Sequence, residues 1–178
     1  MNGLIWAAAR DGRAVSVAGG RHAMGGQQFG TDTLLFDMTS FKRVLHFDRA
    51  KGHIAVQAGI AWPALIAYLE RQQAGQATQW GIRQKQTGVD EVSIGGSLAS
   101  NIHGRGLRFP PIISDVESFV LVDAAGRVHT CSRRENRELF ALAIGGYGLF
   151  GVIAHVTLRL VPRAVSANLL YGFGRLHV

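Results

Sequence analysis

The sequence predicts an α+β fold, and three observations carry that assignment. Short apolar runs flank glycine-containing turns often enough to form repeated β-hairpins, more than a purely βαβ sheet uses. Other segments space their apolar residues as one face of a helix does. Late in the chain, Val152 to Leu160 alternates apolar and polar residues without a break, as a strand with one buried face does.

The elements follow in order. Leu4 to Ala9 reads as a short helix closed by Asp11-Gly12, with Gly12 as a left-handed cap. Ala14 to Ala18 is a buried strand that runs straight into glycines, and Thr33 to Asp37 is another short apolar run. Val44 to Asp48 and His53 to Gln57 enclose Arg49-Ala50-Lys51-Gly52 as a hairpin. Pro63 opens a helix, since proline suits the first helical position, and Leu65, Tyr68 and Leu69 continue it to about Gln73, before Gly75. From Gln76 to Arg108 periodicity fades into Gly, Thr, Ser and Asn, which predicts long loops around a short helix near Gly95 to Ile102. Ser118 to Val122 and Arg127 to Cys131 form a second hairpin around Asp123-Ala124-Ala125-Gly126. Asn136 is expected to cap a helix through Ile144 with Leu139, Phe140 and Ala143 inward, stopped by Gly145-Gly146. In the last strand Val152, Ala154, Val156, Leu158 and Leu160 face one way and His155, Thr157 and Arg159 the other, and Pro162 is expected to end it. No internal repeat or linker appears.

Composition narrows the function classes. At 178 residues the chain suits one domain, and 47% hydrophobic residues exclude a disordered segment. The net charge is +7, yet the basic residues are spread out, without the blocks that mark a nucleic-acid arm. A small anionic ligand fits that distribution better than DNA. The single cysteine, Cys131, excludes an intrachain disulfide and a cysteine-based zinc site, so a reducing compartment or indifference to redox is read, and the cytoplasm is the expected location. No run reaches the ~18 apolar residues of a membrane span. No His/carboxylate set stands at metal-ligand spacing, and no G-x-S-x-G elbow marks a serine hydrolase.

Glycine is the anomaly: 23 residues, gathered in three places. The first cluster, Val17 to Gln27, carries a strand into Gly19-Gly20-Arg21, where backbone N–H groups can approach a phosphate without an intervening side chain and Arg21 adds charge. A tight turn explains it equally well, and its spacing is not G-x-G-x-x-G. The second, Val92 to Gly104, places small residues at 95, 96, 97, 99 and 100, so that a flat ligand can lie against backbone beside Asn101 and His103. Close helix packing is the alternative reading. In the third, Gly145 to Ile153, glycines at 146, 148 and 151 permit positive φ, so the chain can bend around a ligand or simply turn.

Together, in this order, the clusters resemble the FAD-binding domain of the vanillyl-alcohol oxidase / p-cresol methylhydroxylase superfamily, the PCMH-type FAD-linked oxidases. The resemblance runs over roughly residues 3 to 163. It rests on Ala18-Gly19-Gly20-Arg21-His22-Ala23-Met24-Gly25, on Phe36-Asp37-Met38-Thr39-Ser40-Phe41, on Val56-Gln57-Ala58-Gly59, and on the two later glycine clusters. The most similar branches are the alditol and aldonolactone oxidases and, through Asn101-Ile102-His103-Gly104, the flavin subunit of decaprenylphosphoryl-ribose epimerase.

That resemblance implies a small N-terminal α/β subdomain and a second mixed or antiparallel sheet subdomain flanked by helices. It implies FAD, with Gly19, Gly20, Arg21, Ala23 and Met24 in the pyrophosphate loop. Gly95, Gly96, Ser100 and Asn101 would form the ring-side wall, with Ser93 and Gly104 in the same flavin-side segment, Gly88 would also bind the cofactor, and Ile153 would give a backbone contact. In the alditol-oxidase branch the histidine at the place of His22 is bonded to the flavin 8α carbon, which needs a neutral imidazole nitrogen as nucleophile. In the epimerase-like branch a tyrosine stands there and FAD is held without a bond, so both modes stay open. The second attachment cysteine of the berberine-bridge branch has no counterpart. His103 is implied beside the isoalloxazine, where it would orient a substrate hydroxyl or accept its proton, or would simply bond to backbone at a helix end. Arg83, Lys85, Arg105 and Arg108 flank that segment and would meet an anion or remain solvated.

The expected function is oxidation of an alcohol carbon of a sugar, polyol or lactone, the cofactor carrying the chemistry. The alternative is a non-catalytic FAD-binding module that needs a partner or a substrate domain. Residues 1–163 are expected to be the FAD-binding domain, shortened at its N-terminus, and residues 164–178 the start of a substrate domain or a tail.

Overall fold

A computed structural model describes residues 1–106 and 108–163 of the chain. The assignment of residues 164–178 therefore lies outside the described residues. The order is α1 (Asn2–Arg10), β1 (Val15–Ala18), β2 (Leu34–Asp37), β3 (Val44–Asp48), β4 (His53–Gln57), α2 (Trp62–Gln72), β5 (Gln79–Gly81), α3 (Ile94–Ala99), a 3₁₀ turn (Ile112–Asp115), β6 (Val116–Val122), β7 (Val128–Ser132), α4 (Arg137–Ala143), β8 (Val152–Arg159) and β9 (Val161–Arg163). The fold is α+β. No helix among the described residues is long and apolar enough to cross a membrane.

Five strands form one fully antiparallel sheet in the order β3-β4-β8-β6-β7. The expected alternation holds along β8, at the centre of that sheet. Val152, Ala154, Val156 and Leu158 are buried, while Ile153, His155, Thr157 and Arg159 are half-buried. The buried side joins Ile54, Val56, Phe119 and Leu121 to Trp62, Leu65 and Leu69 of α2, Ile94 and Leu98 of α3, and Phe140 of α4 in one core. Phe119 stacks on Phe140 with ring centres 5.5 Å apart. Apart from this sheet, β1 and β2 pair in parallel, and β5 and β9 form a two-stranded antiparallel ribbon.

Local expectations fail where a tertiary partner overrides the local signal. Asn136 precedes α4 but does not cap it: its φ is +46, and its Nδ2 donates to the Thr130 carbonyl at 2.8 Å. Asparagine tolerates that left-handed conformation, and the side chain fastens the turn instead of the helix. Leu139 is half-buried, whereas Phe140 and Ala143 point fully inward. The strand β8 stops at Arg159, ahead of Pro162 as expected, but Pro162 itself sits in a further strand, β9, opposite Trp80, in a ribbon where each strand has an open side and a missing N–H is tolerated. The ribbon itself has no periodic signal. Buried Gln73 makes it, donating Nε2 to the Leu69 and Trp80 carbonyls at 3.0 and 2.9 Å and accepting from Trp80 N–H at 2.6 Å.

Candidate cofactor site

The three glycine clusters, far apart in sequence, converge on α3. This helix is short and is held from below. Ile94 and Leu98 enter the core, and Ser97 is fully buried with its Oγ accepting from Trp62 Nε1 at 3.0 Å. Ser97 therefore faces the core, not a ligand, although it belongs to the small-residue run. The first turn of α3 is strapped to the chain after β4: Ile94 N–H donates to Ile60 and Gly95 N–H to Ala58, at 2.8 and 2.7 Å. A Cβ on Gly95 would stand 3.0 Å from the Ala58 Cβ, so this glycine also serves close packing.

The flanking clusters dock on the two ends. Ser93 caps α3 by accepting from Gly96 N–H at 3.2 Å, and a Cβ on Gly19 would lie 2.2 Å from the Ser93 hydroxyl. One on Gly20 would lie 2.2 Å from the Glu91 carbonyl. These loops meet so closely that no side chain fits between them. At the other end, Gly145 and Tyr147 N–H donate to the Leu98 and Ala99 carbonyls at 2.9 and 3.0 Å, satisfying groups that a helix end leaves open.

A trough runs over this junction. Two adjoining clefts, about 120 and 300 Å³, share the walls Val17, Gly19, Ser93, Gly96, Ala99 and Tyr147. The first extends past Met38 and Ala58 to Gly148, Gly151 and Ile153 at the start of β8. The second extends to Gly20, Arg21, His22, Ala23, Gln27 and Gln28. A third cleft, about 390 Å³, adjoins the second through Gln86 and Ser100 and is lined by Asn101, His103, Gly104 and Arg105.

The walls carry hydrogen-bonding groups without partners. Gly19, Gly20 and His22 make no hydrogen bond among the described residues. Arg21 between them has φ +58, and a left-handed residue among free amides is the geometry in which successive N–H groups converge on an anion. The Arg21 guanidinium turns away to Asp37, Nη2 to Oδ2 at 3.0 Å, which leaves the backbone as the main anion donor. The Thr39 hydroxyl and N–H, with Arg21, hold the Asp37 carboxyl below the usual carboxylate range. Gln28 Oε1 is buried at the cleft wall and has no partner among the described residues. An extended ligand with anionic oxygens and hydroxyl or imide donors satisfies both features, and backbone walls admit a flat ring. FAD has these groups.

Other expected site residues fall elsewhere. Met24 is fully exposed, and neither it nor Gly88, with φ +92, lines the three clefts. Asn101 has φ +44 and its Oδ1 accepts from Ile113 N–H at 3.4 Å, so it shapes the loop. In the third cluster the positive-φ glycines are Gly145, Gly148 and Gly151; Gly146 is a packing glycine, where a Cβ would lie 2.3 Å from the Leu142 carbonyl. Burial pushes the Cys131 thiol up to about 11, as an inert core cysteine requires. Arg83 pairs with Asp115 at 3.0 Å and Lys85 pairs with Asp90. Gln28 and Gln86 were not singled out from the sequence, since nothing local separates them from any loop glutamine.

A strand-fed glycine loop, a short helix of small residues and a bent glycine turn around one backbone-walled trough define a domain that binds a nucleotide cofactor. Residues 3–132 match the family model described as FAD binding domain, and the chain belongs to this family of PCMH-type FAD-linked oxidases, whose cofactor is FAD. It is similar to L-gulonolactone oxidase of Mus musculus, 31% identical over 157 residues that make up 88% of this chain and 34% of the relative. L-gulono-1,4-lactone dehydrogenase of Mycobacterium tuberculosis is 33% identical over 159 residues, 89% of this chain and 35% of the relative. The mitochondrial L-galactono-1,4-lactone dehydrogenase of Arabidopsis thaliana is 35% identical over 130 residues, 72% and 20% respectively. The chain thus spans about a third or less of these relatives.

Proposed function

We propose that the chain is the FAD-binding part of an oxidoreductase that oxidises an alcohol carbon of a sugar lactone. One observation carries the reading: three separated glycine clusters close on α3 to make a trough walled by backbone and rimmed by unpartnered N–H groups. The names of the relatives support the lactone as substrate class. FAD, when bound, supplies the hydride acceptor. Gly19, Gly20, Arg21, His22 and Ala23 hold its pyrophosphate side through backbone amides. Ser93, Gly95, Gly96 and Ser100 form the wall under the ring system, with Asn101 and Gly104 shaping its edge, and Ile153 closes the far end.

His103 supplies the base. Its Nδ1 is 3.0 Å from the Gly104 carbonyl oxygen, which can only accept, so Nδ1 carries the proton and Nε2 keeps its lone pair for the third cleft. That polarity suits removal of a substrate hydroxyl proton. His22, exposed on the cleft wall with no hydrogen bond of its own, is the tether to FAD. We further read α1, β1 and β2 as the small α/β subdomain, the five-stranded sheet as the second, residues 1–163 as the domain, and the cytoplasm as its location.

The test is the absorption of the purified, FAD-supplied protein before and after acid precipitation. Flavin retained in the pellet, and released on His22→Ala, is the expected result. Yellow colour released from the unaltered protein overturns the tether, and absence of flavin uptake overturns the cofactor site.

A further inference from the structure

Four cations flank the second glycine cluster, and their positions separate them. Arg83 is bound to Asp115 at 3.0 Å, Lys85 is bound to Asp90, and Arg108 lines none of the clefts described above. Arg105 is the exception. It lines the third cleft, is exposed, and makes no ion pair or hydrogen bond among the described residues. The same walls hold Gln86, Thr87, Ser100 and His103 and no carboxylate. The cleft thus carries one unneutralised positive charge amid hydroxyl and amide groups, and it opens onto the His22 cleft through Gln86 and Ser100.

We infer that this cleft takes an anionic sugar derivative, with Arg105 as the residue that selects its carboxylate or phosphate. The inference rests on the flavin reading above, because it makes the third cleft the substrate side of that site. Polar neutral walls suit the hydroxyls of a polyol chain, and a planar guanidinium takes two anionic oxygens at once. A neutral lactone would leave that charge to water. Within the lactone class proposed above, the cleft therefore favours a derivative that also carries a carboxylate or phosphate. His103 and Arg105 line the same cleft, so one ligand can meet base and anchor together.

The experiment compares D-glucitol, D-gluconate and D-glucitol 6-phosphate, which share a carbon chain and differ in charge. Each is titrated into the FAD-supplied protein and followed both by the flavin absorption band and by calorimetry. At least one anion is expected to bind about tenfold tighter than glucitol, the difference a charge-assisted hydrogen bond makes. The one that does so identifies carboxylate or phosphate as the source of the negative charge. Arg105→Gln is expected to bring all three to the glucitol value with FAD affinity unchanged, and Arg108→Gln to keep the preference. Equal binding of all three, or a preference that survives Arg105→Gln, overturns the inference while FAD uptake leaves the flavin reading standing. A tenfold loss of FAD affinity in Arg105→Gln also overturns it, by assigning Arg105 to the cofactor. A protein that takes up no flavin yet shows the preference in calorimetry fails the flavin reading alone.

Discussion

The turn of the second hairpin, residues 123–127, and the longer loop after β1, residues 19–33, are both polar and glycine-containing, and they treat their polar groups in opposite ways. At the hairpin, Asp123 Oδ1 accepts from the N–H of Ala125 and Arg127, each at 2.9 Å, and Oδ2 meets Arg127 Nε at 2.7 Å and His129 Nε2 at 2.9 Å. In the loop, Gly19, Gly20 and His22 bond to nothing among the described residues. Folding has closed the first network and left the second open. Free backbone donors gathered on a cleft wall around a left-handed residue are what a ligand with anionic oxygens completes. Glycines divide the same way. Gly59 is needed because a Cβ would lie 1.8 Å from the Met38 carbonyl oxygen, whereas Gly148 has nothing within 4 Å.

The sharpest break of this comparison is Gly59→Ala. The clash is with backbone, at Met38 and again at the Phe41 carbonyl 2.8 Å away, so no side chain can yield. Overpacking against fixed backbone is expected to destabilise by more than about 3 kcal/mol. Loss of cooperative urea unfolding, or of soluble protein, checks it; a midpoint near the parent value contradicts the packing role.

Ser97→Ala comes next and tests whether the two regimes meet within one helix. Removing the hydroxyl leaves the buried Trp62 indole N–H without its acceptor, which costs about 1–3 kcal/mol. Gly96 and Ser100, on the cleft side of α3, are untouched. Stability by denaturation is therefore expected to fall while FAD affinity, measured by fluorescence on the folded protein, changes less than about twofold, within the scatter of sites that share no partners. A parallel loss of affinity would show that both faces of α3 act as one unit.

How much of this was legible in the sequence depends on where each signal sits. The hairpins, α2 and the alternation of β8 are written locally, in turn residues and apolar spacing, and stand within a few residues of expectation. The three glycine clusters were visible as anomalies, but their meeting on α3 is tertiary. No local feature says that Gly145 carries a positive φ while Gly146 is kept small by the Leu142 carbonyl, since the first is a backbone conformation and the second a packing contact. Gln73 shows the same limit, since β5 depends on a side-chain amide standing in for a strand partner. Among the candidate site residues, His22 and His103 were legible as types in a pattern. Their cleft positions and the partnerless Gln28 oxygen were not.

Asp123→Asn probes the closed network and adds a pH signature. Burial alone would raise the Asp123 carboxyl, but hydrogen bonds from His129, Arg127 and Ala125 outweigh it and hold it well below the usual range. A carboxyl depressed in the folded state contributes stability that is fully present above its unfolded pKa of about 4 and is lost as pH falls toward the folded value. The parent is thus expected to exceed the variant by about 1–2 kcal/mol at neutral pH, with the gap shrinking from pH about 4 downward. Denaturation of both proteins across that range measures it, and a gap independent of pH would assign the loss to geometry instead of charge.

Gly148→Ala has the smallest expected effect on folding and bears most directly on the open region. With φ +84 the alanine adopts a conformation that L residues disfavour, at about 1 kcal/mol, and its methyl meets no protein atom. Stability should therefore fall only slightly. Gly148 lines the first cleft, however, so if that space belongs to FAD the methyl competes with the cofactor for it. FAD affinity is then expected to drop about tenfold, a loss of about 1.4 kcal/mol in binding that exceeds the loss in folding. Fluorescence titration with FAD, set beside urea unfolding without it, separates the two. A variant that loses stability but binds FAD as the parent does would move the cofactor away from Gly148 and leave it as a turn residue like any in the hairpins.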